Sequence, residues 1–295
     1  MFKQDVQIIA DAISEHWDLP GPATLTDSLI RGVTADVWLV DDGAGTRYVA
    51  KFAYENQAYF ESGLSIAEHV ERSTGLTTGR PVRDRAGELT VMLPSVPGQK
   101  HPLALLTYIA GTPTQLEPDA TAALLARVHS GLRDTDPAAT ADPFGYLTDD
   151  SIDIAHADVI RPVLHKAAGD VLACRGLTWG TCYGDGPEPI RTSSGSIALV
   201  DWGGVLHAPL LWDVAEWVET YSDPQDRQAF IAECRTLRFI DTAEFVHLDR
   251  LARLRDARAL RYRAHRVLHA DHYTDTRLRD AQALQQLAAR FDIQL

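Results

Sequence analysis

The apolar residues in the first part of the chain repeat at two different periods. Within residues 5–17 they recur every three or four positions, which predicts a helix that ends at the following Pro-Gly pair. Three short strand-like runs come next, at 23–29, 36–40 and 47–54, with turn-forming residues between them. Strands joined by connections this short predict an antiparallel sheet and not βαβ units.

A helix and two more strands follow, and the pattern then becomes mainly helical. Residues 56–72 have an apolar helical face, and strand-like runs occupy 88–94 and 102–109. The segment AGTPT, 110–114, interrupts the pattern. The elements predicted beyond it are helices at 118–132 and 157–175, a hairpin region at 180–201, and further helices to the C-terminus.

These elements predict an α+β fold of two lobes. Residues 1–109 are expected to form a small lobe with a five-stranded antiparallel sheet, and residues 110–295 a larger helical lobe. Because a cleft between two lobes is a usual place for a ligand, we expect the functional site there.

Composition and charge narrow the classes of protein. The 295 residues are 45% hydrophobic and 23% charged, which is typical of a globular chain. A formal net charge of -13 repels nucleic-acid phosphates and anionic membrane surfaces, so we expect no partner of either kind. The chain has no signal-peptide pattern and no apolar stretch of membrane-spanning length, which favours a cytoplasmic location. Its three cysteines form no C-x-x-C pair and are expected to be reduced thiols.

One lysine lies in the middle of an apolar strand. Lys51 is flanked by Ala50 and Phe52 in YVAKFAY, and a lysine is costly to bury unless it is paired. It is either a phosphate-binding lysine that faces the cleft or an edge-strand lysine that faces solvent.

Two aspartates flank the predicted hairpin at 181–204. Asp185 lies in a turn before it, and Asp201 directly follows the apolar strand SIALV, so the hairpin returns the second aspartate towards the first. Two carboxylates in a cleft suit general-base work and metal binding. The alternative is that both cap turns, which fits Asp201 less well.

Six segments, in this order, resemble those of the aminoglycoside phosphotransferases and their choline-kinase-like and homoserine-kinase-like relatives. They are YVAKFAY (48–54), LLTYIAGTP (105–113), LLARVHSGL (124–132), YGD (183–185), LVDWGG (199–204) and LWDVAEWV (211–218). Each motif alone is weak, but six in register across residues 23–220 are specific. The resemblance implies a protein kinase-like fold and Mg²⁺-dependent transfer of the γ-phosphoryl group of ATP or GTP to a hydroxyl.

By this resemblance the N-terminal lobe binds the nucleotide. Lys51 would contact the α- and β-phosphates and pair with Glu61, with Glu68 as the rival partner. The loop at 28–34, which has the single glycine Gly32, would cover the phosphates. The residues whose backbone groups would meet the purine are Thr107, Tyr108 and Ile109.

The same resemblance assigns the catalytic loop and the acceptor site to residues 110–295. Asp185 would orient the acceptor hydroxyl and accept its proton late in the transfer. Asp201 would bind magnesium. Asp213 would support the catalytic loop from behind.

Two positions depart from the family pattern. Tyr183 replaces the histidine of the usual His-Gly-Asp loop, and it keeps a hydrogen-bonding tip but no imidazole. Ile190 replaces the asparagine found five residues after the catalytic aspartate, and an aliphatic side chain cannot bind a cation. We expect Glu188 or water to replace the missing ligand; the rival interpretation is a degenerate kinase.

The sequence leaves the acceptor open. The acidic net charge suits a small amine-bearing alcohol, such as an aminoglycoside-like antibiotic or an amino alcohol. A cluster of aromatic and acidic residues would suit the same acceptor: Trp212, Glu216, Trp217, Glu219 and Tyr221. Both tryptophans fit a role in the core equally well. One alternative is a Ser/Thr kinase acting on a precursor peptide in ribosomal-peptide natural-product biosynthesis, with a partner protein. Another is a non-catalytic nucleotide-binding protein.

Charged residues near the C-terminus have simpler interpretations. The arginine-rich segment 250–266 predicts an amphipathic helix whose arginines are solvated. His265, His269 and His272 share a helical face there, and solvated histidines are commoner in such a pattern than a zinc site. His129 is expected to be a hydrogen-bonded core histidine.

Overall fold

The computed structural model describes residues 6–31, 35–54, 56–96, 99–135, 142–269 and 277–295. Its N-terminal part alternates strands with two helices, close to the predicted pattern. These elements are α1 (Val6–His16), β1 (Thr24–Arg31), β2 (Ala35–Asp41), β3 (Arg47–Ala53), α2 (Gln57–Thr74), β4 (Pro81–Val82), β5 (Val91–Val96) and β6 (Gln99–Thr107).

The strands of this part form one antiparallel sheet. They are hydrogen-bonded in the order β1-β2-β3-β6-β4, and β5 also pairs with β6. Lys51 on β3 lies opposite Val37 of β2 and Ala104 of β6, so it is in a central strand and not at an edge. The predicted antiparallel sheet is confirmed, and β4 is an addition that the sequence pattern did not indicate.

The two faces of β3 have different neighbours. Ala50 and Phe52 are buried against α1, in an apolar cluster with Ile13 and Trp17. Ala53, on the opposite face, is buried with Phe60 of α2. Because side chains alternate along a strand, Lys51 lies on the face that α2 covers, which directs it towards the C-terminal part of the chain.

The C-terminal part is mostly helical and contains three short antiparallel pairings. Its helices are α3 (Pro118–Leu132), α4 (Pro143–Thr148), α5 (Ala157–Leu172), α6 (Leu211–Trp217), α7 (Pro224–Leu237), α8 (Leu248–Leu268) and α9 (Arg277–Ala289). Its strands are β7 (Gly111–Pro113), β8 (Trp179–Cys182), β9 (Glu188–Thr192), β10 (Ile197–Val200) and β11 (Leu206–Pro209). The β9–β10 hairpin is the predicted one. The segment 110–114, expected only to interrupt the pattern, contains β7, which pairs with β9.

Helix α2 connects the two parts. Phe60 and Leu64 near its start lie under the sheet, whereas Ile66 and Val70 belong to the large apolar cluster of the C-terminal helices. A Cβ on Gly131 of α3 would lie 2.8 Å from the side chain of Thr74, so the glycine allows the two helices to approach closely. The structure is thus an α+β fold of two lobes with shared packing, and the division at residue 109 stays a prediction.

The arginines of α8 do not follow the predicted solvated pattern. Arg255, Arg261 and Arg266 are only 8%, 1% and 2% exposed. Their guanidinium groups reach the carbonyl of Ala215, the carbonyl of Asp149 and the carboxylate of Asp280 respectively. The prediction was wrong for these three because α8 packs against α5, α6 and α9, so that little of its circumference faces water.

Two smaller expectations can also be compared with the structure. Cys174, Cys182 and Cys234 are all free thiols. None of the helices in the described part of the chain combines the length and the apolar character that crossing a bilayer requires.

Candidate active site

The site is centred on a contact between the two lobes. Lys51 Nζ lies 2.8 Å from Asp201 Oδ1, so the lysine of β3 reaches the carboxylate that follows β10. The side chain of Asp201 is 47% exposed and that of Lys51 is 14% exposed, which leaves the pair accessible from one side. The Lys51 ammonium also lies 5.8 Å from the centre of the Phe60 ring.

The backbone of Asp201 has an unusual conformation. Its φ and ψ of 64° and 68° place a non-glycine residue in the left-handed region, at the start of the short 3₁₀ helix Trp202–Gly204. Burial raises the pKa of the Asp201 carboxyl, but the Lys51 ammonium and the N–H of Gly203 outweigh it and hold the pKa below its ordinary value. Asp201 is therefore ionised at neutral pH.

Asp213 holds the loop that carries Asp185. This aspartate is fully buried, and it accepts the backbone N–H groups of Tyr183 at 2.9 Å and Gly184 at 2.8 Å. His129 Nε2 lies 2.9 Å from the same carboxylate. These contacts agree with the expected supporting role of Asp213, and His129 is a hydrogen-bonded core histidine as expected.

Two glycines bring the Asp185 and Asp201 loops together. Gly184 has a φ of +83°, and a Cβ on it would overlap the carbonyl oxygen of Gly204. A Cβ on Gly204 would lie 2.7 Å from the Cβ of Asp185. The carboxylate-bearing loops therefore touch at a point that admits no side chain between them.

Glu188 joins the two aspartates. It lies directly opposite Val200 in the β9–β10 hairpin, beside Asp201. Burial raises the pKa of Glu188, and the charges of Asp201 and Asp185 raise it further against the opposing charge of Lys51. Ile190 stands where the resemblance led us to expect an asparagine, and its side chain packs against Gly111. A Cβ on Gly111 would lie 2.6 Å from Ile190 Cγ2.

The carboxylates fit a magnesium site that is completed by other ligands. In the described ranges, no group of three or more His, Cys, Asp and Glu side chains is arranged to hold a metal ion. Asp201 and Glu188 provide two hard oxygen donors beside each other. Magnesium in nucleotide-using enzymes is usually held in this way, by one or two carboxylates together with phosphates and water.

The expected partner of Lys51 is wrong. Glu61 accepts hydrogen bonds from Gln57 at 2.9 Å and from the Thr90 hydroxyl, and Glu68 pairs with Arg83 at 2.7 Å. Neither glutamate is within ion-pairing distance of Lys51, whose ion-pair partner is Asp201. The reason is tertiary: Thr90, just before β5, and Arg83, just after β4, already bind these two glutamates.

The three hinge residues are not equivalent. The N–H of Thr107 donates to the carbonyl of Arg80 at 3.0 Å, so this N–H is not available to a purine, which corrects part of the expectation. Tyr108 and Ile109 follow the end of β6, beyond its ladder. A Cβ on Gly79 would lie within 3.7 Å of both Ile109 Cδ1 and Val200 Cγ1, so both apolar side chains approach Gly79.

One expected residue lies outside the described residues. Gly32, like residues 33 and 34 of the phosphate-covering loop, is in an undescribed range, so the assignment to nucleotide binding stays a prediction.

Helix α6 packs against the other side of the Asp185 loop. Trp217 Nε1 donates to the carbonyl of Asp185 at 3.1 Å, and Trp212 Nε1 lies 3.4 Å from the carbonyl of Gly184. Both indoles are 0% exposed, so of the two roles considered they have the core role and offer no open aromatic face. Arg258 Nη1 also donates to the Gly184 carbonyl, at 3.1 Å. Nothing in the sequence singled out this arginine, because the pattern of α8 predicts a solvated helix.

Glu216 is an acidic residue of α6, the helix that packs against the Asp185 loop. Burial raises the pKa of Glu216 to about 8, with Arg258 and Arg255 opposing the shift and Asp185 adding to it. Glu219, by contrast, is neutralised by Arg227 at 3.2 Å and Arg255 at 3.3 Å. Of the acidic residues considered for an acceptor amine, Glu216 is the one near Asp185 that has no ion pair.

The fold and the site together define a protein kinase-like architecture. No family model and no curated protein matches the chain. Solved structures with this fold do match over nearly its whole length. One is the amicoumacin kinase hAmiN in complex with AMP-PNP, Ca²⁺ and Ami, at 14% identity and a TM-score of 0.72, covering 98% of this chain and 94% of that one.

Two further matches have the same architecture. A microcompartment-associated aminopropanol kinase is 16% identical, with a TM-score of 0.72 and 98% coverage of both chains. Spectinomycin phosphotransferase APH(9)-Ia, in complex with ADP and spectinomycin, is 13% identical, with a TM-score of 0.65, covering 96% of this chain and 94% of that one. At these identities the matches establish the fold, which is the one the sequence predicted.

Proposed function

We propose that this protein is a nucleotide-dependent phosphotransferase, which moves the γ-phosphoryl group of ATP or GTP to a hydroxyl of a small acceptor. The observation that carries the proposal is the 2.8 Å contact between Lys51 and Asp201, with Glu188 beside it and the Asp185 loop packed against it. Phosphoryl transfer needs a cation for the phosphates, carboxylates for magnesium and a carboxylate for the attacking hydroxyl. Here the four groups are adjacent.

On this proposal the nucleotide and its metal separate the Lys51–Asp201 pair. Lys51 binds the α- and β-phosphates, and Asp201 and Glu188 bind Mg²⁺. The raised pKa of Glu188 supports this role, because a carboxylate close to two others gains most from a bound cation. The purine lies between the hinge, at Tyr108 and Ile109, and Val200.

Asp185 is the proposed catalytic base. Its loop is fixed by Asp213 from one side and by Trp217 from the other, which would hold the carboxylate in one place relative to the γ-phosphate. It orients the acceptor hydroxyl and accepts its proton late in the transfer.

The proposed acceptor is a small alcohol with an amine. Asp185 and Glu216 are the acidic groups on the proposed acceptor side; the buried Glu216, which keeps its proton up to a pKa of about 8, would ionise when a cationic amine binds beside it. The net charge of -13 also favours a cation. The names of the matching structures refer to amicoumacin, aminopropanol and spectinomycin, which supports a small-molecule acceptor.

A transfer assay tests the proposal. The purified protein is incubated with Mg²⁺, labelled ATP or GTP, and a panel of amino alcohols, aminoglycosides and Ser/Thr peptides. Asp185→Asn should lower transfer by about 10²-fold or more. Asp170→Asn, which removes only an exposed ion pair with Lys166, is the matched control and should keep full activity. Full activity in Asp185→Asn would exclude the assigned base; nucleotide binding without transfer to any acceptor would favour the degenerate kinase.

A further inference from the structure

Three buried aromatic side chains lie between the loops of Asp185 and Asp201. Tyr183, Trp202 and Trp217, here called the aromatic triad, are at most 4% exposed. The Tyr183 ring meets Trp202 edge to face at 5.0 Å and Trp217 at 5.8 Å, with interplanar angles of 85° and 89°. Edge-to-face contacts of this kind fix the orientation of each ring.

Each member of the triad donates to one backbone carbonyl. The Tyr183 hydroxyl donates to Val200 at 2.5 Å, and Trp202 Nε1 to Leu199 at 3.0 Å. Trp217 Nε1 donates to the carbonyl of Asp185 at 3.1 Å. The polar atom of every ring therefore holds the main chain at or just before a carboxylate of the site.

The Tyr183 hydrogen bond acts where the backbone is strained. The Val200 carbonyl belongs to the peptide group that precedes Asp201, and Asp201 has the left-handed φ of 64°. A non-glycine residue keeps such a conformation only where its surroundings hold it. Burial and the nearby carboxylates, Asp201 first, raise the pKa of Tyr183 well above its ordinary value, so the hydroxyl remains a donor at any working pH.

We infer that Tyr183 is a positioning residue, whose hydroxyl fixes the peptide group before Asp201 and thereby aims the Asp201 carboxylate at the metal. The effect on catalysis rests on the proposed function; the effect on the loop does not.

Hydrogen exchange of the nucleotide-free protein tests the effect on the loop. Tyr183→Phe removes only the hydroxyl. Tyr221→Phe is a matched control. Tyr221 is 1% exposed, and its hydroxyl lies 3.0 Å from the Leu116 carbonyl and 2.6 Å from the Thr121 hydroxyl. It is therefore a core residue and not, as its place in the sequence cluster suggested, part of an acceptor site. Exchange in the segment 199–204 should become about fivefold faster in Tyr183→Phe, as expected for one net hydrogen bond, and stay at the wild-type rate in Tyr221→Phe. Equal exchange in all three proteins would overturn the inference.

Kinetics with varied Mg²⁺ test the effect on catalysis. Tyr183→Phe should raise the Mg²⁺ concentration for half-maximal transfer and lower kcat, with the KM for the nucleotide unchanged. Tyr221→Phe should match the wild type in the half-maximal Mg²⁺ concentration, in kcat and in the KM for the nucleotide. If kcat and the half-maximal Mg²⁺ concentration change in both variants, and only in proportion to their loss of thermal stability, the positioning role is contradicted. If the wild type transfers nothing, the proposed function fails while the exchange comparison still decides on Tyr183.

Discussion

Lys51 Nζ and Asp201 Oδ1 lie 2.8 Å apart although 150 positions separate them in the chain. Without a nucleotide, the lysine neutralises the carboxylate that is proposed to bind magnesium. Replacing Lys51 by Met should therefore weaken nucleotide binding but let Mn²⁺ or Mg²⁺ alone bind more tightly, since Asp201 loses its competing cation. Thermal-shift titrations with the metal alone and with the nucleotide measure the two effects separately. Weaker binding of the free metal in Lys51→Met would contradict this account.

Glu188 should control the metal dependence. Glu188→Gln keeps the shape and removes the charge beside Asp201, so we expect transfer to need a higher Mg²⁺ concentration by about an order of magnitude. Glu233→Gln, a change on α7 away from the site, is the control. The same Mg²⁺ dependence in Glu188→Gln and wild type would mean that water takes the place of the missing asparagine.

Gly184 and Gly186 provide a matched pair in one loop. Gly184→Ala should destabilise the fold by about 2–4 kcal/mol and abolish transfer, because its Cβ would overlap the Gly204 carbonyl and its φ is positive. Gly186→Ala should be tolerated, since no atom lies within 4 Å of the added Cβ. Urea unfolding measures the stability of the two variants, and the transfer assay measures their activity. Similar behaviour of the two variants would contradict the close packing of the loops.

Asp213 should be needed for stability as well as activity. Asp213→Asn leaves one acceptor oxygen for the N–H groups of Tyr183 and Gly184, and it places an amide donor against one of them. We expect a loss of about 2–4 kcal/mol in the free energy of unfolding. Asp226 is exposed and also lies near the start of a helix, so Asp226→Asn should change the free energy of unfolding little. Unfolding by urea at neutral pH gives the comparison.

Glu216 should make stability fall as pH rises. Its folded-state pKa of about 8 is above the ordinary value of 4.5, so between these two pH values the folded state holds a proton that the unfolded state has lost. Its contribution is therefore fully present below pH 4.5 and is lost as the pH rises towards 8. Glu216→Gln should be more stable than wild type at pH 8–9, by on the order of 1–3 kcal/mol, with the difference shrinking towards pH 5. A difference independent of pH would argue against the raised pKa.

Much of the fold and part of the site follow from local sequence patterns. The strands and helices of the first lobe have clear periods, and α3 begins and ends where its pattern does. Strands β4, β7 and β11 have two to four residues, too few to show a period, so they could not be predicted. Asp185, Asp201 and Asp213 could be singled out as candidates because they lie in motifs that occur in a fixed order.

Residues whose roles depend on tertiary neighbours were predicted less well. Glu61 has the right position in the chain for pairing with Lys51, but in the folded protein its carboxylate accepts hydrogen bonds from Thr90 and Gln57 instead. Arg255 and Arg261 look solvated because they are charged, and only the packing of α8 among other helices shows that they are buried. Arg258 was missed for the same reason.

The close contact at Gly63 limits how the two lobes can move. A Cβ on this residue of α2 would overlap the carbonyl of Trp202, so helix and loop touch backbone to backbone, one residue after Asp201. A substrate-induced rotation of the sheet would then have its pivot near this contact. On the proposed function, the crevice would therefore open at its hinge end during nucleotide exchange, while the end that carries Lys51 and Asp201, next to the pivot, would move least.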